Sequence, residues 1–121
     1  MAEKMERFAL MKGESEEWSG YYSLENQPKY VKAIMNSITH VMIENDILCG
    51  YIRCKNDDGF GIYILDLLVM KQYRGCEFGL KLIQSIANVF PNDPLYVTSD
   101  IDPYYEKIGF KKIGSILEYM L

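Results

Sequence analysis

The stretch FGIYILDLLVMKQYRGCEFGLKLIQSIANVF, residues 60–90, decides how the rest of the chain is read. It opens with an almost unbroken apolar run, Ile62 to Met70. A short polar loop follows, Lys71 to Glu77, and then apolar residues recur at helical spacing from Phe78 to Phe90. The run reads as a strand with Ile62, Ile64 and Leu68 on one face and Tyr63, Leu65, Leu67 and Val69 on the other, broken only by Asp66. A strand apolar on both faces is usually central in its sheet and covered on both sides. Strand, basic glycine-bearing loop and helix start, in that order, build an anion site, because the free backbone N–H groups of a helix N-terminus point at whatever sits there. The stretch is therefore expected to grip the pyrophosphate of a nucleotide-like cofactor.

Upstream of this stretch, Lys55–Gly59 reads as a turn centred on Asp58-Gly59, and Asn45-Asp46 as a tight hairpin turn between strands over 41–44 and 47–53. Pro28 suits the first turn of a helix over about 28–37, with Tyr30, Val31, Ile34, Met35 and Ile38 as its apolar stripe. A preceding helix over about 15–25 starts at Ser15, a good N-cap, and a first strand spans residues 5–12. Downstream, the helix over 78–90 turns Phe78, Leu82, Ile83, Ile86, Ala87, Val89 and Phe90 inward. The sequence PNDP at 91–94 stops it. A strand over 95–99 follows, parallel to the strand over 60–70 because a crossover helix joins them. A short helix begins near Pro103 with Asp102 as N-cap, Gly109 ends it, and strands over 110–114 and 116–121 close the chain.

The 121 residues fit one domain, 1–121, of ordinary size. Hydrophobic residues make up 49% and charged residues 25%, the balance of a soluble globular protein. A net charge of −4 supplies no basic field for nucleic acid. No apolar run approaches the ~20 residues of a membrane span. The N-terminal sequence has no signal-peptide core, and three cysteines without CxxC or metal spacing fit free thiols in the cytoplasm. His40 is the only histidine, which excludes a multi-histidine metal site, so no metal is expected; its strand context reads as a half-buried or surface residue.

Two motifs carry a resemblance. Residues 65–82, LDLLVMKQYRGCEFGLKL, resemble the strand and pyrophosphate loop of the GNAT superfamily of acyl-CoA-dependent N-acetyltransferases, commonly L-x-V-x-x-x-Y-R-G-x-G-x-G-x-x-L. Residues 104–110, YYEKIGF, resemble the family's late helix-to-strand signature. Together they span roughly 41–114; the first forty residues carry no diagnostic match. The resemblance implies an α/β (α+β) fold with a mixed, mostly antiparallel sheet of about seven strands flanked by helices. Its fourth and fifth strands, 60–70 and 95–99, would be parallel and splayed to admit the cofactor. One position departs from the motif: Glu77 stands where the family often has glycine. A carboxylate there repels a pyrophosphate unless it points away.

By the same resemblance, acetyl-CoA is the cosubstrate. Arg74, Gly75, Cys76, Glu77, Phe78 and Gly79 would hold its pyrophosphate through backbone N–H groups, with Lys71, Arg74 and Lys81 as nearby cations. The backbone of Leu67, Leu68 and Val69 would pair with the pantetheine amides. A bulge in this strand would aim an N–H at the thioester carbonyl. Tyr105 aligns with the family tyrosine that protonates the departing thiolate as general acid, and Tyr104 reads as packing. The acceptor amine must lose a proton, and Asp66, Tyr63 and Glu44 are the candidate bases. Asp66 has the equally weighted reading of a hydrogen-bonded structural carboxylate. Cys76 near a helix N-terminus is a conceivable nucleophile, but direct transfer fits the family better.

The function expected from all this is direct acetyl transfer from acetyl-CoA to a primary amine of a small molecule or peptide. Its alternative is a non-catalytic acyl-CoA-binding or interaction module on the same fold. A further possibility is a homodimer pairing through strands 110–121 in place of a monomer.

Overall fold

Two left-handed turns set the antiparallel part of the sheet. Asn45 and Asp46 take φ of 51° and 63°, the paired positive values of a two-residue hairpin turn whose twist matches its flanking strands. They join β1, Ile38–Glu44, to β2, Ile47–Asn56. Asp58 and Gly59 (φ 49° and 98°) then carry the chain into β3, Ile62–Val69. In this computed structural model the residues described are 22–75 and 77–120. Among them lie α1, Gln27–Met35, with Pro28 in its first turn, α2, Phe78–Val89, β4, Leu95–Val97, and α3, Asp102–Lys107. The sheet order is β1-β2-β3-β4; the first two junctions are antiparallel and the last is parallel.

Each face of the sheet has its own core. Under α1, Tyr30 and Ile34 pack on Tyr51 and Leu68. Under α2, Leu82, Ile83 and Ile86 pack on Ile52, Cys54, Ile62 and Ile64. Full burial of one such aliphatic side chain stabilises by about 1.5–3 kcal/mol.

A bulge decides which residues of β3 face which side. Arg53 pairs with Asp66, but the next β2 residue, Cys54, pairs with Ile64, so Leu65 is the extra residue. The inward set shifts phase there. Ile62, Ile64, Leu67 and Val69 all meet the α2 core, whereas Asp66 and Leu68 turn to the α1 side. The unbroken alternation expected from the sequence is corrected accordingly. The second face is also less covered than expected, with Tyr63 at 42% exposure.

The expected count of about seven strands becomes four among the described residues. The first strand, 5–12, and nearly all of the helix over 15–25 lie outside them. Residues 110–120 form no strand, and Ile113, Ile116, Leu117, Tyr119 and Met120 are exposed. Apolar spacing marks which residues could line a sheet face, but a strand forms only where a neighbour accepts its backbone hydrogen bonds. β4 is shorter than the expected 95–99 for the same reason: its pairing with β3 ends at Val97. Met35 and Val89, expected on inward stripes, are exposed at the ends of their helices. Among the described residues no helix is long and apolar enough to cross a membrane.

Candidate active site

The β3–β4 seam is zipped for three pairs and then opens. Ile62, Tyr63 and Ile64 pair with Leu95, Tyr96 and Val97, after which Leu65–Val69 run on with no β4 partner. Thr98 contributes only a long contact, its Oγ1 donating to the Ile64 carbonyl at 3.5 Å. The opening starts at the Leu65 bulge, so the strand kinks where its neighbour departs. On the other edge Leu67, Leu68 and Val69 remain bonded to Ile52, Tyr51 and Gly50 of β2. The expected splay and the expected bulge therefore coincide at one residue.

The open seam leads to the first turn of α2. Lys71–Tyr73 form a single 3-10 turn, and the Arg74 Nε donates to the Val69 carbonyl at 3.1 Å, folding the loop back over the strand end. Gly75 has φ of 88°. Glu77 has φ of 61°, its carbonyl accepts the first intrahelical bond from Lys81 N–H, and no side chain caps the helix. The first-turn N–H groups and the helix dipole thus face the loop, as an anion site requires. The left-handed conformation at 77 explains why glycine suits this position, and why Glu77, solvent-exposed, is strained there. Cys76 lies outside the described residues. Lys71 is exposed, and Lys81 lies over the Phe78 ring at 5.5 Å.

Gly79 is buried, and a Cβ on it would collide with the Tyr104 hydroxyl. Tyr104, read from the sequence as packing, therefore lies with its phenol against the first turn of α2, beside Leu67.

Tyr105 is held by the way α3 ends. Gly109 N–H bonds the Glu106 carbonyl and Phe110 N–H bonds the Tyr105 carbonyl, the paired bonds of a Schellman stop, with Gly109 at φ 109°. Such stops bring the third residue from the helix end against the second residue beyond it, and the Tyr105 and Phe110 rings meet edge-on with centroids 5.5 Å apart. The Y-x-x-x-G-F pattern is thus a helix terminator that fixes a phenol. Burial, and secondarily the neighbouring Tyr104 and Asp100, pushes the Tyr105 hydroxyl up to about 12, so it keeps its proton throughout the neutral range. Tyr105 lines a cleft of about 1010 Å³ together with Tyr63, Tyr96, Thr98 and Ser99. This cleft lies between β4 and residues 108–116, beside the open seam and not in front of the α2 first turn.

The candidate bases separate clearly. Asp66 is buried, and its Oδ2 accepts bonds from Arg53 Nε at 2.6 Å and from the Tyr30 hydroxyl at 2.5 Å. This is the arrangement of a structural carboxylate. Glu44 stands at the β1–β2 turn, two strands away from the seam. Tyr63 is half-exposed at the seam, its ring 5.0 Å from that of Tyr96. His40 Nδ1 lies 2.8 Å from Ser85 Oγ, but that hydroxyl donates to the Leu82 carbonyl at 2.6 Å, so the imidazole is the donor and no serine nucleophile is set up. Cys49 and Cys54 are buried; burial pushes the Cys54 thiol up to about 12, far from a thiolate nucleophile. Arg53 was not singled out from the sequence, and Tyr30 was placed on the apolar stripe of its helix with no carboxylate partner. The available signal was a pair of opposite charges. Arg53 and Asp66 stand among apolar neighbours on the strands either side of the Asp58-Gly59 turn, five residues before it and seven after it, and the hairpin sets one opposite the other because the ladder skips Leu65.

Comparison with known proteins gives a family and a fold. The acetyltransferase (GNAT) domain family matches residues 6–119. The N-alpha-acetyltransferase 30 of Schizosaccharomyces pombe is 27% identical over 127 residues, covering 93% of this chain and 79% of the relative. A probable acetyltransferase of meticillin-resistant Staphylococcus aureus superposes with a TM-score of 0.71 at 22% identity, over 96% of this chain and 92% of that one. The PaiA N-acetyltransferase of Thermoplasma acidophilum, solved in complex with coenzyme A, gives a TM-score of 0.70 at 18% identity, over 91% of this chain and 84% of that one. At these identities the structural likeness is one of fold.

Proposed function

The chain belongs to the GNAT acetyltransferase family, and from that premise we propose that it transfers the acetyl group of acetyl-CoA to a primary amine by direct transfer. The observation that carries the reading is the β3–β4 seam, which opens at a bulge and runs to the uncapped N-terminus of α2. A phosphate-bearing, strand-like ligand needs these two features side by side.

Bound acetyl-CoA would supply an acetyl thioester. The first-turn N–H groups of Phe78 and Gly79, with Arg74 at the loop, would hold the pyrophosphate. The unpaired edge of Leu67–Val69 would align the pantetheine arm. Leu65, bulged at the mouth of the seam, turns the strand's backbone toward the space where negative charge develops on a carbonyl oxygen, and a fixed N–H there lowers the barrier. Attack of a neutral amine on the thioester carbonyl would form the carbon–nitrogen bond. Tyr105, kept protonated by burial, would donate its proton to the sulfur as the carbon–sulfur bond breaks, and the proton the nitrogen loses would pass to solvent, from which the phenol is restored.

The acceptor that asks least of a base fits best. Asp66 is engaged by Arg53 and Tyr30, and Glu44 is remote. A peptide α-amine, with pKa ~7.7–8.0, is already neutral to roughly a tenth at pH 7, whereas a lysine amine, near 10.4, is almost wholly charged. The name of the Schizosaccharomyces pombe relative points the same way. Calorimetry with CoA and a thiol-release assay against peptides with free N-termini and simple amines test the reading. We expect CoA binding and turnover, greatest with α-amines. Binding without turnover across the panel would favour an acyl-CoA-binding module, and no binding of CoA or acetyl-CoA would end both readings.

A further inference from the structure

The α1 side of the sheet holds a buried polar cluster that the proposed chemistry does not use. Asp66 and Arg53 are directly paired residues of β3 and β2, with side chains 1% and 8% exposed. Arg53 donates from Nε to Asp66 Oδ2 at 2.6 Å and from Nη2 to Oδ1 at 3.4 Å. Its Nη1 donates to Ser37 Oγ at 3.2 Å, and Ser37 Oγ donates to the Ala33 carbonyl at 2.6 Å. Its guanidinium lies 5.2 Å from the Tyr30 ring centroid. The Tyr30 hydroxyl donates to Asp66 Oδ2 at 2.5 Å and stands 3.4 Å from that of Tyr51. One carboxylate is thus tied to the adjacent strand and to α1 at once.

Its position is what gives this cluster a role. The Arg53–Asp66 pair is the last in register before the ladder skips Leu65. A bulge leaves a residue without a ladder partner, so its backbone direction depends on how firmly the flanking pairs are held. On the β4 side no ladder pair holds it among the described residues, because the β3–β4 pairing stops at Ile64. We propose that Arg53, Asp66 and Tyr30 form a clamp that fixes the backbone direction of the Leu65 bulge, which makes Asp66 a positioning residue for acyl transfer and not its base. The proposal rests on the reading that the acyl group lies at the bulge. It also joins the two halves of the site, since Tyr30 brings α1, on the opposite face of the sheet, to bear on the donor seam.

The test uses the full chain as wild type, as Asp66→Asn and as the double variant Arg53→Leu/Asp66→Leu. An apolar pair of similar volume can replace a buried ion pair without loss of stability, so the double variant separates folding from positioning. Melting temperature, amide N–H chemical shifts of residues 64–67 without ligand, CoA affinity and the pH profile of kcat are measured. The clamp predicts a melting temperature close to wild type in the double variant, moved amide shifts at Leu65 and its neighbours, and kcat lowered by about tenfold or more at every pH. CoA affinity stays within about twofold, because the pyrophosphate grip lies elsewhere. Unmoved amide shifts, or a kcat restored in the double variant, would overturn the proposal. So would an Asp66→Asn profile that loses its ascending limb, since that marks a base. If the double variant does not fold, Tyr30→Phe, which keeps the ring over Arg53 and removes the hydroxyl's bonds to Asp66 and Tyr51, carries the same comparison. A wild-type protein that fails to bind CoA counts against the proposed function, and the amide shifts then decide the clamp alone.

Discussion

The two faces of the sheet are built from opposite materials. Toward α2, Ile52, Cys54, Ile62, Ile64, Leu82, Ile83 and Ile86 form a dry, interchangeable core. Toward α1, a smaller apolar cluster surrounds an arginine, an aspartate and a tyrosine whose bonds admit little substitution. Apolar packing is non-directional and scales with area, whereas a buried ion pair must meet its partners at set distances and angles. The α2 face therefore supplies stability, and the α1 face supplies direction at the point where the seam opens.

The contrast can be broken in order of expected effect. Tyr105, packed on the α2 side, is the one group there with proposed chemistry, so Tyr105→Phe is expected to lower kcat by ~10²–10⁴ with CoA affinity kept. Steady-state kinetics and calorimetry check this. Because its hydroxyl is raised to about 12, Tyr105 contributes no falling limb between pH 7 and 10; a limb there that vanishes in the phenylalanine variant would contradict the assignment. On the α1 side, Asp66→Leu alone strands a buried guanidinium and is expected to cost about 3–5 kcal/mol in denaturant unfolding. Ile86→Ala leaves a cavity in the α2 core and is expected to cost about 2–4 kcal/mol, with no change in kcat per folded molecule. An equal loss of kcat in Ile86→Ala and Asp66→Asn would erase the distinction between the faces. The smallest effect belongs to the loop: Glu77→Gly relieves a left-handed backbone by about 1 kcal/mol. It also removes a carboxylate from the loop, so the melting temperature and the affinity for CoA should both rise.

Much of this was legible in the sequence because it depends on local chemistry. The Asn45-Asp46 turn, the crossover helix with its Leu82, Ile83 and Ile86 stripe, and the Gly109 stop all follow from residues a few positions apart. The start of α2 at Phe78 was legible for the same reason, and the cost at Glu77 became specific only with its φ of 61°. The bulge was expected from the family resemblance, but its position was not legible. Ile62 to Met70 is apolar at nearly every position, so the run carries no mark of where its phase reverses. Asp66 had two readings because its environment depends on Arg53 and Tyr30, which reach it from other elements. The strands expected over 110–121 show the limit most plainly. Their apolar spacing is local, but the partner a strand needs is not, and among the described residues none is paired there.

The extra residue in β3 acts as a reading-frame change within a folded strand. Before Leu65, even-numbered positions point toward α2; after it, odd-numbered ones do. Homologous strands can therefore differ in length by the one residue at Leu65 and keep their inside and outside. Deleting Leu65 would leave Ile62, Ile64, Leu67 and Val69 toward α2 and Asp66 and Leu68 toward α1, now in unbroken alternation. Any alignment of relatives through this strand should accordingly place a single-residue gap at the bulge.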